Sequence, residues 1–337
     1  MRIGLVGLGR IGSVHLDTLA EQDDVDDVVL FDPVGSAVAR SLEAHPKARA
    51  VGSVAHLLDS KLDGLVIAAA TNAHAELLIA SVSRGIPTFC EKPIAGTVAE
   101  AVDVRSRLQA YDVPVQIGYP RRFDPAFVAV KELAHSGGLG RIHTVRSTTL
   151  DPAPPQATYL AVSGGIFRDC SVHDFDAIRW VTGQEVVEVF SVGSVDPGEP
   201  TDMYVQNGDY SSASVLLAMS DGTIGVVSNS RRNARGYDVR LEVHGSDDAV
   251  AAGLDEGLPL RSMTSGVTWP LGPPHAFFMD RLSEAFRIEL ATFCKVAAGE
   301  VPSPCLLSDA METTWVAEAA TKSAREHRPV RVSEVEL

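Results

Sequence analysis

The sequence predicts an α/β protein of two domains, with a doubly wound parallel sheet first and a mainly antiparallel sheet second. Three observations carry that prediction. The chain has 337 residues, more than the roughly 250 to 300 at which a single hydrophobic core stops growing. From Met1 to about Tyr119, short apolar runs alternate with helical stretches. From about Arg141 the pattern changes to longer strand-like runs separated by turn signals. The boundary falls so that residues 1–122 form the first domain and residues 123–337 the second.

In the first domain, Ile3 to Val6, Val28 to Phe31, Leu65 to Ala69, Thr88 to Cys90 and Val115 to Ile117 read as buried strands. Their apolar runs are nearly continuous, as in strands covered on both faces, and the intervening segments are long enough for crossover helices. In the second domain, Ser214 to Met219, the turn Asp221-Gly222, Thr223 to Asn229 and then Tyr237 to His244 read as hairpins of an antiparallel sheet. Phe277 to Ala298 and Ser308 to Glu326 have helical periodicity and are expected to cover a face or an edge. The run Asp151-Pro152-Ala153-Pro154-Pro155 predicts an ordered loop, because proline restricts itself and its predecessor. No internal repeat or low-complexity tract interrupts this order.

Composition narrows the function. Hydrophobic content of 45% with 22% charged residues is ordinary for a globular chain. A formal net charge of -15 argues against nucleic acid and anionic membranes as partners, since both need clustered Lys and Arg. It suits a protein acting on small molecules. No apolar run reaches the roughly 20 residues of a membrane span, and the first residues enter a strand without the layout of a signal peptide, so a cytoplasmic location is expected. Cys90, Cys170, Cys294 and Cys305 include no CxxC and read as free thiols, neither a disulfide framework nor a zinc site.

Gly7-Leu8-Gly9-Arg10-Ile11-Gly12 follows the first strand and opens a helix, the setting that a dinucleotide-binding glycine loop requires. Asp32 ends the second strand twenty positions after Gly12, where a carboxylate accepts hydrogen bonds from ribose hydroxyls. It would repel a 2'-phosphate, and Pro33-Val34-Gly35 offers no cation to bind one. NAD is therefore expected in preference to NADP. Thr71-Asn72-Ala73-His74 and Glu91-Lys92-Pro93 follow two further strands, at the carboxyl ends where open α/β sheets bind ligands. A lone lysine is usually a solvated charge. Lys92 departs from that because it lies at a strand end, where an ammonium can orient a hydroxyl and stabilise developing negative charge. His74 is read as a helix-start residue that could contact the nicotinamide.

Ser163 to Asp176 places Asp169 and His173 four residues apart. On a continuous helix the two share one face, and a carboxylate beside an imidazole fixes its tautomer and raises its basicity. Such a pair suits removal of a proton from an alcohol. The bland reading, a helix cap beside a satisfied histidine, is the commoner account of an arbitrary Asp and His pair. A metal site from Asp169, His173 and Asp176 has the spacing but no further ligand cluster, so no metal is expected. Asp174 and Trp180 read as structural, the first on the opposite helix face and the second in the packed interior. Arg231, Arg232 and Arg235 read as a solvated loop or interface cluster, with a phosphate-bearing substrate as the minor alternative.

The glycine loop, Glu91-Lys92-Pro93, Gly118-Tyr119-Pro120-Arg121-Arg122-Phe123-Asp124-Pro125 and the Gly164 to Asp176 segment together resemble the Gfo/Idh/MocA oxidoreductases, in order and over almost the whole chain. Arg121 to Asp124, Asp151 to Pro155 and Ser163 to Asp169 are most similar to the inositol 2-dehydrogenase branch. The resemblance implies a Rossmann domain followed by an α/β domain with a large open, mainly antiparallel sheet that mediates dimer or tetramer contacts. It implies a homo-oligomer, a homotetramer in the fuller form, oxidising a secondary hydroxyl of myo-inositol or a similar cyclic polyol or sugar. Lys92, Asp169 and His173 match its catalytic set, and Arg122, Asp151 and Tyr237 fall in segments similar to those lining the polyol pocket. Leu150, and Val239 within Tyr237-Asp238-Val239-Arg240, depart from the branch pattern and leave the ring open; Asp309-Ala310 departs at a turn. An NAD-dependent glycosidase on the same scaffold and a non-catalytic NAD-binding sensor are the alternatives.

Overall fold

The structure is a computed structural model and describes residues 1–196, 201–253 and 275–336. Two compact units emerge. The first takes in Met1–Phe123 and Glu284–Met311, and the second Asp124–Ser283 and Glu312–Glu336. The first break thus falls one residue beyond the sequence boundary, while residues 284–311, placed by sequence in the second domain, belong to the first unit.

In the first unit the strands are β1 (Arg2–Val6), β2 (Asp27–Phe31), β3 (Arg49–Ala50), β4 (Gly64–Ile67), β5 (Thr88–Glu91) and β6 (Val115–Gly118). They alternate with α1 (Arg10–Ala20), α2 (Gly35–Ala44), α3 (Val54–Leu58), α4 (Thr71–Val82) and α5 (Val98–Leu108). The described strands form one parallel sheet in the order β3-β2-β1-β4-β5-β6. The order reverses between β1 and β4, the switch point beside which such sheets bind ligands. β3 escaped sequence reading because it is two exposed residues with no apolar run. Ile3, Leu5, Leu16, Val28, Leu30, Val66 and Phe89 form the core.

The second unit holds α6 (Pro125–His135), β7 (Ile142–Leu150), α7 (Ala157–Ser163), α8 (Ile166–Asp169), α9 (Ser171–Thr182), β8 (Val186–Ser194) and α10 (Thr201–Gln206). β9 (Ser212–Met219), β10 (Ile224–Ser230), β11 (Asp238–Gly245), β12 (Ala249–Ala252) and α11 (Phe278–Arg281) follow. The chain then forms α12 (Ser283–Ala297), α13 (Leu307–Glu326) and β13 (Val330–Arg331). From α12, Leu290, Phe293 and Cys294 enter the core of the first unit. Gly64 leaves room for Phe293: a Cβ there would lie 3.1 Å from its ring.

The second sheet runs β12-β11-β7-β10-β9-β8-β13. β9 and β10 form the expected hairpin around Gly222, whose φ of 88° suits the turn. The expected second hairpin does not form. β7 lies between β10 and β11, parallel to the first and antiparallel to the second, so the sheet is mixed. Alternation is clean: Ala213, Val215, Leu217 and Met219 are buried while Ser214, Leu216 and Ala218 are exposed.

Helix α9 covers the buried face. Asp174, fully buried, accepts hydrogen bonds from Ser147 Oγ (2.5 Å) and Thr149 Oγ1 (2.8 Å) of β7 and from Asn229 Nδ2 (2.7 Å) of β10. It therefore fastens the helix across the one parallel strand pair described in this sheet, a structural role that matches its sequence reading. Trp180 is half-buried, less enclosed than expected, with Lys131 Nζ 4.7 Å from its ring centroid.

Candidate active site

The glycine loop joins β1 to α1. Gly7 has φ +94°, and a Cβ there would meet the backbone of Ala68 and Ala69 at 2.5 Å. A Cβ on Gly12 would stand 2.0 Å from the Gly7 carbonyl oxygen, whereas nothing lies within 4 Å of one on Gly9. The glycines thus supply the turn, the close helix contact and an open floor. Gly9 caps α1 without a side-chain hydrogen bond, and the first turn, with exposed Arg10 and half-buried Ile11, carries no acid. Its amides are left for an anionic ligand.

Asp32 accepts hydrogen bonds from the amides of Leu8 and Val34, both at 2.7 Å. One glycine-loop amide thereby fixes the carboxylate where a ribose diol would meet it. Open floor, helix-start amides and a fixed carboxylate fit NAD and disfavour a 2'-phosphate. Thr71, half-buried, and Asn72, exposed, open α4 after Ala70, presenting a second helix start in the same unit.

Two predicted cofactor residues hold the scaffold. His74 is buried, with Nδ1 2.7 Å from the Pro93 carbonyl oxygen and Nε2 2.9 Å from that of Ala69. It ties the end of β4 to the segment after β5, where the sequence suggested a nicotinamide contact. Glu91 Oε1 lies 2.7 Å from His15 Nε2, both side chains being buried. That pair locks α1 to the end of β5. Lys92 follows half-buried, joined to Pro93 by a cis peptide. Arg122 donates to Asp309 Oδ2 (2.9 Å) and the Pro304 carbonyl (3.0 Å). Its guanidinium anchors the turn Pro120–Phe123.

In the second unit, Gly164 and Gly165 both take positive φ, 78° and 88°, to turn the chain from α7 into α8. The continuous helix expected through Asp169 and His173 is two helices. Cys170 separates them: its amide closes α8 on the Ile166 carbonyl, and its own carbonyl accepts from the His173 amide (3.2 Å). Asp169 therefore ends one helix, and half-buried His173 stands in the first turn of the next.

Asp169 is gripped from both sides. Tyr159 Oη donates to Oδ1 (2.8 Å) and Arg231 Nη1 to Oδ2 (3.0 Å). The second Arg231 nitrogen donates to Asp209 Oδ2 (3.2 Å), and Asp209 Oδ1 accepts the Ile166 amide (2.7 Å). Arg231 is 1% exposed, which corrects its reading as a solvated loop residue. Burial opposes its charge, but Cys170, Asp169 and Asp209 outweigh that and hold it above the usual arginine range. Burial, then Asp169, pushes the Tyr159 hydroxyl above the usual tyrosine range. Cys170 Sγ lies 3.6 Å from Asp151 Oδ2, beyond the end of β7. Tyr237, just before β11, is buried, and its amide donates to the His275 carbonyl.

His15, Tyr159 and Asp209 escape the sequence analysis, and Arg231 enters it only within a loop or interface cluster, yet a signal exists for Asp209 and Arg231. The inward phase of β10, Gly225-Val227-Asn229, continues to Arg231, and that of β9 runs back through Ser211 to Asp209. No cluster of three or more His, Cys, Asp or Glu able to hold a metal is present among the described residues.

Residues 1–119 match the model of the oxidoreductase family with an NAD-binding Rossmann fold, and residues 127–251 that of the GFO/IDH/MocA C-terminal domain. The chain is 36% identical over 341 residues to the myo-inositol 2-dehydrogenase of Thermotoga maritima, with 99% of each covered. It is also 36% identical to the inositol 2-dehydrogenase of Rhizobium meliloti, again with 99% of each covered. The crystal structure of a myo-inositol dehydrogenase from Corynebacterium glutamicum matches 98% of both chains at a TM-score of 0.89 and 34% identity.

Proposed function

The chain belongs to the Gfo/Idh/MocA oxidoreductases, which bind NAD on a Rossmann fold, and from that premise we propose that it oxidises a secondary hydroxyl of myo-inositol, or of a similar cyclic polyol or sugar, to the ketone. The observation that carries this reading is end-to-end similarity to two inositol 2-dehydrogenases. Gly7, Gly9, Arg10, Ile11, Gly12, Asp32, Thr71, Asn72 and the Glu91-Lys92 strand end would hold NAD, with His74 and Glu91 acting through the scaffold. Bound there, NAD supplies the hydride acceptor.

The protein's own groups handle the proton. Lys92 polarises the hydroxyl oxygen and stabilises negative charge as the O–H bond breaks. His173 takes that proton through a ring nitrogen, and Asp169 orients the ring and offsets the positive charge it gains. Arg122, Asp151 and Tyr237 are the candidates for holding the remaining ring hydroxyls.

Self-association and a cytoplasmic location complete the proposal. Across the exposed sheet face runs the row Phe190, Leu216, Val226, Arg146 and Glu242, apolar on β8 to β10 and charged on β7 and β11. Val187, Val192 and Ile224 extend the apolar part, and such a face supports a dimer or tetramer. Four free buried cysteines suit a reducing compartment, and no described helix is long and apolar enough to cross a membrane.

The test is NAD reduction measured over inositol isomers, aldoses and their phosphates. Myo-inositol or a close relative is expected to give the highest kcat/KM, and inertness of every polyol would sink the reading. His173→Ala should lower turnover by about 10³-fold while leaving NAD affinity nearly unchanged. Full turnover in that variant would remove His173 as the base.

A further inference from the structure

Helix α8 spans Ile166–Asp169, a single turn. A helix that short cannot hold itself, since nucleation costs more than one turn of hydrogen bonds returns. Its two ends are instead joined through side chains from elsewhere in the second unit. Asp209, just before β9, takes the Ile166 amide at the N-terminal end (2.7 Å) and meets Arg231 (3.2 Å). Arg231, just after β10, reaches Asp169 at the C-terminal end (3.0 Å), and Tyr159 of α7 donates to the other Asp169 oxygen (2.8 Å). A Cβ on Gly165 would come 3.3 Å from Asp209 Oδ1, so the ring also needs that glycine.

We propose that Arg231 and Tyr159 are positioning residues for Asp169, holding its carboxylate ionised and in one orientation, with Asp209 anchoring Arg231 to the start of α8. The geometry is specific. Each Asp169 oxygen has a different donor, so neither rotation nor protonation is free. Arg231 stands between two carboxylates, Asp169 and Asp209, so one guanidinium links both ends of the helix. Among the titratable and charged groups facing Asp169 are Tyr159 from α7, Cys170 from the adjoining turn and Arg231 from the end of β10. Behind them stand Asp209 and, beyond Cys170, Asp151.

The inference rests on the proposed dehydrogenase reading for its kinetic consequence, so a measurement independent of turnover accompanies it. Full-length protein, Arg231→Met, Arg231→Lys and Tyr159→Phe are compared for polyol-dependent NAD reduction across pH and for the imidazole NMR titration of His173, assigned with His173→Ala. Removing the guanidinium exposes His173 to an uncompensated carboxylate. Its titration, and the acid limb of kcat/KM, should both move to higher pH. Arg231→Met should lose about 100-fold in kcat, more than it changes KM, and Arg231→Lys should recover part of that.

Tyr159→Phe removes one oxygen from a partly exposed residue. It should lose about 5-fold in kcat, the rate equivalent of one hydrogen bond, with the same direction of titration. It keeps the question open to measurement if Arg231→Met fails to fold. Folded variants with wild-type His173 titration and kcat would overturn the proposal. If wild-type protein reduced NAD with no polyol while the His173 titration still moved, the dehydrogenase reading would fall and the positioning role would stand.

Discussion

In the glycine loop of the first unit, the groups offered to a ligand are main-chain amides, placed by Gly7, Gly9 and Gly12 within one short stretch of sequence. Around Asp169 in the second unit, the converging groups are side chains delivered by α7, α8 and the ends of β9 and β10. The first site depends on where side chains are missing. The second depends on charges that must be present together. A local backbone cradle should fail sharply when a single carbon is added, whereas a ring of charges should fail by degrees as its members are removed.

The largest effect expected from this contrast is at Gly12. Gly12→Ala places a Cβ 2.0 Å from the Gly7 carbonyl oxygen, backbone against backbone, so the loop must open. NAD affinity, followed by fluorescence titration, should fall by at least about 100-fold, or roughly 3 kcal/mol. An affinity within a few-fold of wild type would show that the cradle tolerates side chains after all.

The second unit can be probed through its packing at Asp174. Asp174→Ala strands donors on Ser147, Thr149 and Asn229 in a buried setting. Urea denaturation should show a loss of about 3 kcal/mol, with NAD affinity unchanged because the first unit is untouched. Weakened NAD binding in a folded variant would erase the separation drawn between the two regions.

The smallest effect concerns two buried thiols of the first unit, Cys90 and Cys294. Burial raises Cys90 well above the usual thiol range and pushes Cys294 up to about 11, with Asp24 adding to the latter. Little thiolate exists at neutral pH, so peptide mapping after alkylation of native protein should find both unmodified, with Cys294 beginning to react only as the pH nears 11. Prompt modification at neutral pH would mean that their surroundings open readily.

The same contrast explains what could be read from the sequence. The five apolar strands of the first sheet and the loop Gly7 to Gly12 were legible because each is specified by neighbours in the chain. The mixed order of the second sheet was not: β7 enters between β10 and β11 from some eighty residues upstream, and nothing in the β10 to β11 connection records that. Asp174 was placed correctly from helix phase. Asp169 and His173 stand out by spacing, but the helix boundary between them does not, since it rests on a hydrogen-bond pattern around Cys170 that no residue type announces. Glu91 and His74 looked like ligand contacts because they sit at strand ends, and only the fold reveals His15 and the Ala69 and Pro93 carbonyls as their partners. Arg231 was hidden by a habit of reading exposed loops from charge, although the strand phase before it already pointed inward.

The single turn of α8 has a consequence for the order in which the molecule becomes competent. Isolated helices shorter than about 12 to 15 residues are marginal in water, so this one must wait for its clamps. Asp209 and Arg231 flank the β9–β10 hairpin, and they reach α8 only once that hairpin has paired. The glycine loop instead leans on neighbouring strands of its own sheet: the Gly7 amide donates to the Phe31 carbonyl, and Gly7 packs against the backbone of Ala68 and Ala69. In a refolding molecule the clamp on Asp169 would therefore close only after that hairpin has formed, which makes α8 a late reporter of a finished second sheet.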